Sequence, residues 1–171
     1  MMIRDICIMA GNRKVSYYLN KGNGKKVIGE KKIDGFWYYF NENGEMATGW
    51  SQHNDHMYYY QANGQMTYGE AKIDGHWYYF KEKSGIMATG WSKHNNHTYY
   101  YQLNGWMTYG EKKIDGKWYY FDELGWMETS KWIGDYYVKA NGAMAVDEWV
   151  DNDTCYVDIN GKLVQGAKKA A

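Results

Sequence analysis

The chain has 171 residues and no net formal charge, with 20 Lys and Arg against 20 Asp and Glu. That balance removes the electrostatic ground for a nucleic-acid or anionic-membrane partner, and no apolar run reaches the roughly 18 residues of a membrane span, so neither nucleic-acid binding nor membrane insertion is expected. The 19 Tyr, 9 Trp and 20 Gly, the absence of Pro and a mean hydropathy of −0.78 describe a chain rich in large amphipathic rings and poor in aliphatics, in which the same rings must serve packing and recognition.

Residues 1–10 read as an N-terminal extension or the start of a truncated unit. Their short apolar stretch is broken by Arg4 and Asp5 and does not make a secretory leader. Regular repeats follow over 11–130. Each has an aromatic cluster of strand character: Tyr17-Tyr18-Leu19, Tyr38-Tyr39-Phe40, Tyr58-Tyr59-Tyr60, Tyr78-Tyr79-Phe80, Tyr99-Tyr100-Tyr101 and Tyr119-Tyr120-Phe121. Residues 131–171 hold looser units, with Tyr136-Tyr137-Val138 and Cys155-Tyr156-Val157, and a tail. After each cluster stands a turn glycine: Gly24, Gly44, Gly64, Gly85, Gly105, Gly125, Gly142 and Gly161, at successive spacings of 20, 20, 21, 20, 20, 17 and 19. Two residues further on comes Met46, Met66, Met87, Met107, Met127, Met144 or Leu163, with Lys26 breaking the rule in the first unit. Asn-Gly pairs such as Asn43-Gly44 suit tight turns. Each unit therefore predicts an aromatic strand, a turn, a short second strand and a linker. The whole is an all-β solenoid of about eight stacked hairpins, since one hairpin alone is marginal in water.

Two kinds of unit alternate. Gly29-Glu30, Gly69-Glu70 and Gly110-Glu111 open one kind, and Gly49-Trp50 and Gly90-Trp91 the other, giving a superperiod of 40 to 41 residues. Strand alternation puts Tyr38 and Phe40 on one face, assigned to the core, and Trp37 and Tyr39 on the other, assigned to grooves between hairpins. The same pattern extends the groove face to Tyr59, Tyr79, Tyr100, Tyr120 and Tyr137. Cys7 and Cys155, near opposite ends and without CxxC spacing, give no disulfide framework.

The string from Gly44 to Trp50 (GEMATGW), preceded by Trp37-Tyr38-Tyr39-Phe40, resembles the cell-wall-binding repeat family. That family includes choline-binding modules of pneumococcal surface proteins and lysins, glucan-binding repeats and clostridial toxin repeats. The resemblance runs over residues 11–166. It implies a left-handed solenoid with ligand held between consecutive hairpins, in a cage built from the Gly-Trp tryptophan, the cluster tryptophan and a tyrosine of the next hairpin. Carried onto this sequence, the first class is Trp50, Trp91, Trp132 and Trp149, and the second is Trp37, Trp77 and Trp118. A quaternary ammonium held by ring faces is the chemistry such a cage performs. Here no unit holds both tryptophans: Met57 and Thr98 stand at the cluster position of the Gly-Trp units. Cages would have to form across units, for example Trp50 with Tyr59 and Trp77. Ring faces also stack on sugars, so the sequence favours a wall glycan or teichoic-acid polymer over choline alone.

Other motifs are weaker. His53-Asn54-Asp55-His56 and His94-Asn95-Asn96-His97 repeat 41 residues apart, but they lie on linker and strand rather than on a metal-binding helix, and read as polar linker residues. Glu30, Glu70 and Glu111 are three copies of one acid, not the asymmetric pair a glycosidase needs, and read as linker residues. Asp151-Asn152-Asp153 reads as a hairpin turn. The expectation is a non-catalytic module, with no cofactor and no metal, that anchors a protein to a bacterial cell-wall polymer at the cell surface or outside the cell. The alternatives are a targeting tail of a peptidoglycan hydrolase whose catalytic domain lies outside this chain, and a structural spacer.

Overall fold

The computed structural model describes residues 8–10, 13–20 and 22–169, and Cys7 lies outside them. Among the described residues there are eight two-stranded antiparallel sheets. They pair β1 (Ile8–Ala10) with β2 (Arg13–Val15), β3 (Gly29–Ile33) with β4 (Phe36–Phe40), β5 (Gly49–His53) with β6 (His56–Tyr60), and β7 (Gly69–Ile73) with β8 (His76–Phe80). The series continues with β9 (Gly90–His94) and β10 (His97–Tyr101), β11 (Gly110–Ile114) and β12 (Lys117–Phe121), β13 (Lys131–Ile133) and β14 (Tyr136–Val138), and β15 (Glu148–Val150) and β16 (Cys155–Val157). The chain is an all-β array of stacked hairpins, in two compact units, Met1–Ala88 and Thr89–Ala171.

The expected hairpin count is found, but the strands pair differently. The aromatic strand does not form its main ladder with the segment after the Asn-Gly turn. It pairs with the segment before it, so that Glu30 faces Tyr39 and Ile33 faces Phe36. The tight connection is Asp34-Gly35, with φ of 48° and 91°; both values are positive, as a two-residue turn that follows the strand twist demands. In the other kind of unit Asn54 and Asp55 do the same at 49° and 61°. The Asn41–Gly44 turn is instead an Asx turn. Asn41 Oδ1 accepts the N–H groups of Asn43 and Glu45 at 3.0 and 2.9 Å, and the segment beyond contributes one bridge, Phe40 to Met46. The residues read as linkers, including Glu30, Glu70 and Glu111, are therefore strand residues.

The core follows the alternation. Tyr38, Phe40, Tyr58, Tyr60, Tyr78 and Phe80 are buried while Trp37, Trp50 and Trp77 are exposed. Each small cluster recruits a groove-face ring of the preceding hairpin: Tyr39 packs on Tyr58, Tyr60 and Met66, and Tyr59 packs on Ile73, Tyr78 and Phe80. Backbone also ties neighbours together. Met66 N–H donates to Trp37 O, Met87 N–H to Met57 O and Met127 N–H to Thr98 O, each at 2.8 Å. The turn glycines lock into this stack. A Cβ on Gly64 would lie 2.3 Å from Met46 Sδ, and one on Gly85 2.3 Å from Met66 Sδ. The methionine of one hairpin thus fills the notch left by the next hairpin's glycine, and the two-residue offset in the sequence serves that fit.

The first unit departs from the rule. Tyr17 and Leu19 make isolated bridges to Glu45 and Lys26 rather than lying in a strand. Lys26 takes the methionine's place, its Cβ 2.9 Å from where a Gly44 Cβ would sit, and its ammonium lies 3.6 Å from the Tyr17 ring centre, a cation–π contact in place of apolar packing.

Candidate functional site

In the register of β9 and β10, Trp91 lies opposite Tyr100 and Lys93 opposite Thr98. Residues two apart on a strand share a face, so these four make one surface of the hairpin. Tyr100 meets Trp91 edge to face at 5.2 Å and backs it. The front of the indole is met by Tyr119 of the next hairpin, with ring centres 4.8 Å apart and planes at 71°. Two aromatic walls at that angle form a corner. Met127 closes it, held in place by its backbone bond to Thr98. The result is an open groove of about 430 Å³ lined by Trp91, Tyr119, Met127, Lys93, Thr98 and Asn141, with Ser92 at its edge.

The arrangement recurs one superperiod earlier. Trp50 is backed by Tyr59 at 5.1 Å and faces Tyr78 at 4.8 Å and 63°. Its third ring is thus Tyr78, one position on from the Trp77 of the sequence reading. The remaining Gly-Trp positions differ. Trp132 meets its own Tyr137 at 5.2 Å, but Cys155 stands where the next hairpin's tyrosine would be, and the indole N–H points to Asp151 Oδ2 at 3.4 Å. Trp149, in the last described hairpin, meets its own Tyr156 at 5.5 Å. Two of the four tryptophans, Trp50 and Trp91, therefore have a facing tyrosine.

The cluster tryptophans Trp37, Trp77 and Trp118 are exposed and lie across from Lys32, Lys72 and Lys113 in the register; Lys113 Nζ reaches 5.9 Å from the Trp118 ring. Tyr39 lines a second groove with Trp50, and Tyr59 a third. Tyr79 and Tyr120 lie across from Glu70 and Glu111. Tyr78, Tyr119 and Lys93 escaped the sequence reading, in which Met127 stood only as a residue after a turn glycine. The first two look like core residues in their own hairpins, and their second role appears only when the preceding tryptophan is placed beside them. The turn tryptophan Trp126 is a contact residue, stacked on His97 at 3.5 Å and donating its indole N–H to Tyr99 Oη at 3.0 Å.

The histidines are not linker residues. The His53 ring is sandwiched between Tyr39 at 3.9 Å and Tyr58 at 4.1 Å, with interplanar angles of 11° and 2°. Its Nε2 shares a hydrogen bond with Tyr60 Oη at 2.9 Å, and its Nδ1 lies 3.7 Å from Glu30 Oε1. His94 repeats the stack on Tyr99 at 4.0 Å and the bond to Tyr101 Oη at 3.1 Å. Burial pushes the His53 imidazole below its ordinary value, with Glu30 opposing and His56 adding to the shift. The unfolded chain then takes up a proton that the folded ring resists, so stability is full above about pH 6.5 and falls as the pH drops below it. Urea unfolding at about pH 7.5 and about pH 5.5 checks this: His53→Phe, which keeps a ring in the stack, should lose less stability between the two than the parent. An equal loss in both would refute the assignment.

With this geometry in view, the comparisons with known proteins are specific. Choline-binding repeat models match residues 27–66, 47–89 and 88–132, and a second such model matches 126–163. The chain belongs to the choline-binding repeat family. It is similar to choline binding protein F from Streptococcus pneumoniae, solved in the presence of a peptidoglycan analogue: 34% identity, TM-score 0.80, covering 87% of this chain and 54% of that one. A second crystal form of the same protein gives 34% identity and TM-score 0.81 over 91% and 56% of the two chains. CbpJ from Streptococcus pneumoniae TIGR4 gives 31% identity and TM-score 0.79 over 86% and 55%. The chain thus spans about half the length of these relatives. No curated protein shows significant similarity to it.

Proposed function

We propose that this chain is a non-catalytic wall-binding module that anchors a protein at the bacterial surface by holding choline groups of an envelope polymer in the aromatic corners at Trp50 and Trp91. The observation that carries this reading is the pairing of each of these tryptophans with a tyrosine of the following hairpin at 4.8 Å, together with family membership. A quaternary ammonium cannot donate a hydrogen bond, and the negative faces of rings set at a steep angle, with a thioether beside them, stabilise it by cation–π and dispersion contacts. The corner needs no second tryptophan, which shifts the balance from the glycan favoured by sequence toward choline. Two weak sites 41 residues apart in one chain, engaging a repetitive polymer, gain affinity from effective concentration.

The test is retention on a choline-bearing resin and release by free choline, followed alongside by tryptophan fluorescence. The module should be retained and displaced, with an emission change on titration. Passage through the resin, with emission that responds to wall oligosaccharides but not to choline, would overturn the reading in favour of a sugar groove.

A further inference from the structure

The methionines that follow the turn glycines differ in burial, and the difference alternates with the kind of hairpin. Met66 and Met107, after the aromatic strands of the Trp-type hairpins, are buried. Met87 and Met127, after those of the Glu-type hairpins, are half-buried. The backbone places them. Met66 N–H donates to Trp37 O of a Glu-type hairpin, and the side chain lies in the cluster of Tyr58 and Tyr60. Met87 and Met127 N–H donate instead to Met57 O and Thr98 O of the Trp-type hairpins. Met87 is thereby packed on the cluster of Tyr78, the ring that faces Trp50, and Met127 lines the open groove at Trp91. The thioethers that solvent can reach are therefore those beside the two aromatic corners.

A thioether sulfur with solvent access is oxidised by a peroxide to the sulfoxide. A sulfur lone pair bonds to one peroxide oxygen and the O–O bond breaks. The proton of the transferred oxygen passes to the departing hydroxide, and water leaves; sulfur loses two electrons and the peroxide gains them. At Met127 the new oxygen has one place to go. A Cβ on Gly142 would lie 2.4 Å from Met127 Sδ and 2.6 Å from its Cε, so the turn glycine leaves no room for a further atom on that side. The open side is the groove. We propose that Met127, with Met87 in the equivalent place beside Trp50, is an oxidative modification site whose sulfoxide oxygen enters the aromatic corner. The oxygen replaces an apolar wall by a hydrated dipole and takes up the space between indole and phenol. A cation resting there loses the desolvation that makes its ring contacts strong. Reduction of the sulfoxide restores the thioether and the corner with it. The modification site stands on burial and fit alone; its effect on binding rests on the choline reading above.

The experiment is graded treatment of the full chain with hydrogen peroxide, followed by peptide mapping in a mass spectrometer and by calorimetric titration with choline. Met87 and Met127 should gain an oxygen before Met66 and Met107 do, and choline affinity should fall by about five- to ten-fold as they are converted. The comparison is the double variant Met87→Leu, Met127→Leu, since Leu163 already makes the equivalent bridge in the last hairpin. Whatever its starting affinity, the variant should bind choline equally before and after peroxide, although it keeps Cys155 and its other methionines. Conversion of Met66 and Met107 at the same rate as Met87 and Met127 overturns the site assignment. An equal fall in affinity in parent and variant places the effect elsewhere and overturns the switch. A parent that binds no choline at all defeats the choline reading separately, and the order of conversion in the peptide map then decides the modification site by itself.

Discussion

Replacing Trp50 and Trp91 together with alanine is expected to abolish retention on choline-bearing polymer while leaving the hairpins folded. Both indoles are surface rings, 37% and 42% exposed, each set between a tyrosine of its own hairpin and a tyrosine of the next. Removing them takes away the ring face against which a cation would rest, a contact worth about 2 kcal/mol where it is desolvated, or roughly thirty-fold in affinity per site. On a polymer the two losses compound, since avidity depends on both sites being occupied together. Each single variant should lose one choline equivalent in calorimetric stoichiometry and far more than half of its polymer retention. Retention by the double variant at the parent's level would show that the corners are packing features and that binding occurs elsewhere. The folded state is checked by the unfolding midpoint, which should move less than on truncating a core ring, because Phe80 and Phe121 each lose one neighbouring indole but stay in place with Tyr60 and Tyr101.

The largest effect on stability is expected from Phe80→Ala. This ring has no exposed surface. It packs with Tyr78 and Ile73 of its own hairpin and receives Tyr59 and Trp50 from the preceding one, at 6.3 and 6.0 Å between ring centres. Truncation removes the transfer free energy of a buried ring and leaves a cavity that rigid neighbours cannot fill, about 3–5 kcal/mol in all. In a stacked array the cost falls on a nearest-neighbour interface as well as on one repeat. Urea unfolding followed by fluorescence should therefore show the Trp50 environment released at lower denaturant than in the parent. A loss below about 1 kcal/mol would mean that the cluster is loosely packed, contrary to the geometry described.

These two expectations draw on different parts of what the sequence reveals. The period, the two alternating kinds of unit and the division of each aromatic strand into a core and a groove face were all legible, because a strand's side chains alternate with period two whatever it is packed against. The rule put Tyr38 and Phe40 on one face and Trp37 on the other, and burial bears out the assignment of the first pair to the core. The choice of partner strand was harder. Asp34-Gly35 and Asn43-Gly44 both carry turn chemistry, and the contest is decided by which turn leaves a five-residue ladder on either side; the Asn41 side chain captures the second turn for itself. The site was least legible, since its walls come from successive hairpins. Tyr119 is by its own strand a core residue. It becomes a wall because Trp91 of the hairpin before it reaches across, and spacing along the chain carries no record of that crossing. His53 was hidden for a similar reason: its polarity suggested a linker, but the rings of Tyr39 and Tyr58 enclose it.

The Glu30–His53 contact gives the array a parity. The Glu30 hairpin presents its carboxylate to His53 of the hairpin that follows, and the Trp50 and Trp91 hairpins present their indoles to the following tyrosine and phenylalanine. If the β5–β6 hairpin were excised, Glu30 would meet Ile73, which occupies the place of His53 in the next unit, and the carboxylate would lose its polar neighbour. Removal of β5–β8 together would instead put His94, which occupies the same register position, in the place of His53. The smallest segment that can be duplicated or deleted without a mismatched seam is therefore the pair, so such arrays would lengthen and shorten by inheritance in steps of two, adding one aromatic corner at each step.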